Sequence, residues 1–65
     1  MNRTGQTWEE HNVVFVVTGP PIPCEWYDRH PVCFLVGPDR VMSEEKYMDE
    51  GTIPWENFPY MTRLG

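Results

Sequence analysis

A small, mainly β domain is what this sequence predicts, and three observations carry the prediction. Two apolar runs, Val13-Val14-Phe15-Val16-Val17 and Val32-Cys33-Phe34-Leu35-Val36, are rich in β-branched and aromatic side chains, and each closes on a Gly-Pro pair. Seven Pro and five Gly among 65 residues rule out a helical bundle or a coiled coil. A hydrophobic content of 40% with three Trp is too apolar for a disordered tail. At 7.7 kDa the chain holds one domain, 1–65, with residues 1–5 read as a terminal arm. A chain of this size buries only about 60% of the surface that its unfolded form exposes.

The elements follow in order. Gln6–Glu10 reads as a first strand with Trp8 as its large buried side chain, and His11-Asn12 as the turn after it, because Asn tolerates positive φ. Val13–Val17 is the strongest strand signal. Gly19–Pro31 carries prolines at 20, 21, 23 and 31, so it reads as a long ordered loop anchored by Ile22, Trp26 and Tyr27. Val32–Val36 is the second strong strand, expected beside the first and antiparallel to it. Val41-Met42 is a short strand after the Asp39-Arg40 turn. Ser43 is placed to cap a short helix over 43–50, with Glu44 and Glu45 in its first turn, Met42 and Tyr47 as a hydrophobic staple and Gly51 as its stop. A polar strand and turn is the competing reading of that segment. Tyr60–Leu64 alternates as a closing edge strand that pairs with the first.

Both strong strands are apolar at consecutive positions, so both of their faces call for cover. Barrel closure, the aromatic loop or a partner subunit would supply it. A homodimer is the expected state, since an open apolar face invites association.

Charge and motif exclude more than they assign. Ten acidic against five basic residues give a net charge of −5, which argues against a nucleic-acid phosphate binder. No apolar stretch is long enough for a membrane helix, and the polar first dozen residues lack a signal-peptide pattern, so cytoplasm is the expected compartment. In a reducing compartment Cys24 reads as a free loop thiol and Cys33 as a buried structural one. Cys24, His30, Cys33 and His11 lack the short paired spacing of a zinc site, so no metal and no cofactor are expected. The Gly-Pro pairs lack the backbone N–H groups of a phosphate loop, and no enzyme activity is expected. The acidic run Glu44, Glu45, Asp49 and Glu50 reads first as a solvated face.

Aromatic residues are the most informative set. Trp8, Trp26, Tyr27, Tyr47, Trp55, Phe58 and Tyr60 all lie outside the two strong strands, more than so small a core holds. Exposed Trp and Tyr are typical binding hot spots. The alternative is that Trp26 and Trp55 cap the open ends of a barrel.

The order of Gly5-x-x-Trp8, a strand ending in Gly-Pro, a loop, a second strand ending in Gly-Pro and a short C-terminal strand resembles the small SH3-like β-barrels. More narrowly, it is similar to short barrel proteins of bacterial and phage genomes. The resemblance implies a five-stranded, strongly bent sheet whose loops do the binding. The acidic segment 43–50 departs from the tight turn such barrels have there.

These readings predict a non-catalytic protein-binding module, such as a phage-encoded inhibitor or accessory factor, acting through exposed aromatics and an acidic face. Its expected binding residues are Trp26, Tyr27 and Arg29 in the long loop, and Trp55, Phe58 and Tyr60 near the C-terminus. The alternative is a small-ligand or nucleotide-binding protein with a site at a subunit interface. Convergence of Arg29, Arg40 and Arg63 beside Trp26 or Tyr27 would favour it, because an acidic surface otherwise repels phosphates.

Overall fold

The computed structural model describes residues 2–50, 55 and 60–65. Its strands are β1 (Thr7–Glu10), β2 (Val13–Val17), β3 (Ile22–Pro23), β4 (Asp28–Val36), β5 (Val41–Met42), β6 (Lys46–Asp49) and β7 (Met61–Arg63). Every pairing among them is antiparallel. No helix among the described residues is long and apolar enough to cross a membrane.

The first hairpin follows from its turn. Glu10 faces Val13, leaving a two-residue loop in which His11 and Asn12 have φ of 50° and 68°. Positive φ at both positions matches the right-handed twist of the flanking strands. β2 then pairs with β4 from Val14↔Leu35 to Val17↔Val32, so the two apolar runs are neighbours as expected. β7 lies against β1, with Glu10 facing Met61, and closes the other side as the C-terminal alternation predicts.

β4 is paired along both edges. Arg29 faces Ile22 of β3 and Asp49 of β6, Val32 faces Val17 of β2 and Lys46 of β6, and Leu35 faces Val14 of β2 and Met42 of β5. A strand has only two edges. β2 and β3 therefore share one, and β5 and β6 share the other.

Three expectations are corrected here. The segment 43–50 is not a helix: Lys46–Asp49 is strand β6. Ser43 caps a break between β5 and β6 instead of a helix, its Oγ accepting from Phe34 N at 3.0 Å. The outer edge of β4 offers a row of backbone partners, and satisfying it outweighs the local helix signals. The long loop is likewise shorter than expected, since β3 and the start of β4 lie within Gly19–Pro31, and His30 is a strand residue. Pro31 is tolerated because its carbonyl points toward the β2–β3 edge, where it accepts from Thr18 N at 2.9 Å. Its missing N–H would face that same edge, not β6. Finally, the sheet has seven strands among the described residues where five were expected, and it is not closed into a barrel. Among the described residues β7 pairs with β1, and β5 and β6 pair with β4, so the outer strands do not meet.

One face carries the core. Trp8, Phe15 and Phe34 stand in register across β1, β2 and β4, with the Phe15 and Phe34 rings edge-to-face at 6.1 Å. Trp8, Phe15, Val17, Val32 and Met61 form the buried cluster, and Phe34, Met48 and Trp55 pack against it. Alternation sends Val14, Val16, Cys33 and Leu35 to the opposite face. Val14 is buried there, and the other three are half-buried. Gly19 passes close to the spine: a Cβ at that position would lie 3.2 Å from Pro31 Cγ. Both cysteines are free thiols.

Candidate functional site

The expected binding residues fall in two regions. In the first, β3 and β4 form a hairpin in which Pro23 faces Asp28, with Cys24–Tyr27 at its tip. Trp26 is 83% exposed, and Ile22 and Tyr27 are also exposed. Arg29, one step into β4, is held by Asp49 of β6 (Nε to Oδ1, 3.3 Å). The tip therefore presents an indole and a phenol on a base paired to β6 through Arg29. Glu25 is exposed beside Trp26, and Asp28 is half-buried.

The second region is built differently from the expected exposed surface. Trp55 packs edge-to-face against Trp8, His30 and Phe15, with ring centroids at 5.1, 5.2 and 6.2 Å. Its Nε1 donates to Glu50 Oε2 at 3.0 Å, and the same carboxylate oxygen takes the His30 Nε2 contact. Of the two positions offered for Trp26 and Trp55, each Trp takes one: Trp26 stands in solvent, and Trp55 covers the core. Tyr60 is exposed, with its ring 6.1 Å from that of His11. Phe58 lies outside the described residues. The three arginines stand on separate elements: Arg29 in β4, Arg40 in the turn before β5 and Arg63 in β7. The sheet order puts β2 and β1 between Arg29 and Arg63.

Sequence reasoning missed Arg3, His30 and Glu50 as a group. Arg3 is 8% exposed and His30 2% exposed, both unusual for their residue types. Arg3 sits over the Trp55 and Trp8 rings, and Gln6 Oε1 accepts from both Arg3 Nη1 (3.5 Å) and Trp8 Nε1 (3.0 Å). His30 Nδ1 is buried and has no hydrogen-bond partner among the described residues. No sequence spacing links residues 3, 30, 50 and 55. The pairing of β4 with β6 brings His30 and Glu50 together, Arg3 reaches the cluster from the segment before β1, and Trp55 joins it through its contacts with Trp8, His30 and Glu50. No group of His, Cys, Asp and Glu among the described residues is arranged to hold a metal ion.

No protein-family model, curated protein or solved structure matches this chain.

Glu50 makes the cluster sensitive to acid. Burial pushes its carboxyl pKa up. The hydrogen bonds from His30 and Trp55, with the electrostatic influence of His30 and the Arg3 guanidinium, outweigh that effect and hold it below its ordinary value. A carboxylate whose pKa falls on folding contributes stability above its unfolded pKa, and that contribution is lost as pH falls through the folded value. Melting curves of wild type and Glu50→Gln between neutral and acid pH test this. Wild type should melt higher at neutral pH, and the gap should shrink as pH drops below 4.5. A gap that stays constant with pH would contradict the assignment.

Proposed function

We propose that this protein is a non-catalytic protein-binding module that engages its partner through the β3–β4 hairpin tip, with Trp26 as the central contact. The observation that carries this reading is the 83% exposure of Trp26 on a hairpin continuous with the longest strand of the sheet. A large aromatic left in water gains by burial in a partner, and Trp is prominent among binding hot spots. Pro20, Pro21 and Pro23 restrict the approach to the tip, so little freedom is lost on docking. Glu25 and Asp28 give the contact an acidic rim. On this reading the chain is an opened relative of the SH3-like β-barrels, with binding carried by a connection between strands. An inhibitor or accessory factor of cytoplasmic, phage-encoded type is the role it suits.

The opposite face of the sheet supports self-association as part of the same proposal. Val16, Cys33 and Leu35 are half-buried there, and register places the exposed Met42 beside Leu35 and the exposed Tyr47 beside Pro31. A second copy laid on this face would cover them. Light scattering at micromolar concentration should give twice the 7.7 kDa chain mass. A clean monomer would remove the dimer from the account.

Trp26→Ala tests the binding surface, with Phe15→Ala as the contrast. Phe15 is 1% exposed in the middle of the core, and truncating such a residue costs about 3–5 kcal/mol. Trp26→Ala should melt close to wild type and lose the proteins that wild type retains from a host lysate. Phe15→Ala should melt far lower. If Trp26→Ala melts as early as Phe15→Ala, or captures the same proteins as wild type, the hairpin tip is not the binding element.

A further inference from the structure

Arg3 occupies a box that has the chemistry of a cation site. Its guanidinium carbon lies 4.2 Å from the Trp55 ring centroid and 5.6 Å from that of Trp8. The two indoles meet edge-to-face, 5.1 Å apart at 69°. Gln6 Oε1 accepts from the guanidinium, and the Glu50 carboxylate, fixed by Trp55 Nε1, adds negative charge on which Arg3 acts. Electron-rich indole faces attract a cation, and a planar guanidinium can also stack on them.

The occupant comes from the segment that precedes β1. Residues 2–4 lie outside every strand and join β1 through Gly5, whose φ of 87° is a glycine conformation. Gly5 N donates to Val17 O at 2.8 Å, which marks where the arm becomes part of the sheet. Gln6 N donates to Arg3 O in a turn that spans Gly5, and upstream of it Thr4 N donates to Asn2 Oδ1. Release of Arg3 therefore requires the turn across Gly5 to open, with loss of the Gln6 N to Arg3 O hydrogen bond, while the β1–β2 pairs from Thr7↔Val16 to Glu10↔Val13 do not involve the arm.

We infer that Trp8, Trp55, Gln6 and Glu50 form a binding site for an arginine side chain, filled here by the chain's own Arg3 and open in exchange to an arginine of a basic protein partner. The net charge of −5 favours a basic partner over an acidic one. The site uses none of the hairpin-tip residues, so it goes beyond the preceding proposal and fails or stands separately from it.

The test is a titration of wild type and Arg3→Ala with N-acetyl-arginine amide, read by tryptophan fluorescence, with the citrulline analogue as the uncharged control. Arg3→Ala should give a saturable change at millimolar concentration. Wild type should bind at least about tenfold more weakly, because its site is occupied and the competent state is a minor one. Citrulline should do nothing. Should Arg3→Ala be unfolded alone, recovery of a cooperative melt at the same arginine concentrations, and not with citrulline, is the equivalent supporting result. No saturable response or recovery, an equal response in wild type, or an equal effect of citrulline would overturn the inference. Trp26→Ala in the Arg3→Ala background should bind the probe unchanged, which separates this site from the hairpin tip.

Discussion

Pairing of β4 along both of its edges is the constraint on which the rest of this structure depends. A nine-residue strand in a 65-residue chain carries two rows of backbone donors and acceptors, and leaving either row unmet next to a core is costly. β2 and β3 meet one row, and β5 and β6 meet the other. Each side is interrupted once, after Val17 and after Met42, where the register shifts before pairing resumes. From β1 to β6, the chain between the strands is spent on these breaks and on tight turns.

Both binding features are consequences of that spine. Because β4 extends beyond β2 toward its own start, it carries the hairpin tip away from the core and leaves Trp26 without a neighbour to bury it. Because β6 runs beside the same part of β4, Glu50 follows it to the edge of His30, and Trp55 is drawn over Trp8 and Phe15 by the carboxylate. One strand thus exposes one tryptophan and anchors another. In so small a core the anchored indole is a substantial share of the apolar cover, and Arg3 lies against it from the arm.

How much of this was legible in the sequence depends on how local the cause is. β2, the apolar half of β4, the His11-Asn12 turn and the buried Trp8 were readable, because β-branching, Gly-Pro stops and turn chemistry act within a few residues. β6 was not. Ser43 with two glutamates is a good helix start, and only the free edge of β4, brought near by folding, makes strand the better state. Pro31 misled for a related reason: a proline argues against a central strand unless its missing N–H falls at a break, which depends on the register of β3. Trp26 as an exposed loop aromatic was legible from the proline-rich stretch around it. The Arg3, His30, Glu50 and Trp55 cluster was not, since its members come from separate parts of the chain that only the folded sheet brings together.

Amide hydrogen exchange along β4 is the most direct measurement of the central claim. Antiparallel geometry points the N–H groups of Cys33 and Leu35 toward β2 and those of His30 and Val32 toward β6. Double pairing predicts that all four belong to the slowest-exchanging set, while Cys24 through Tyr27 exchange rapidly. Protection of Cys33 and Leu35 with His30 and Val32 exchanging as fast as the hairpin tip would mean that β6 is not held on β4, and the spine would have only one edge.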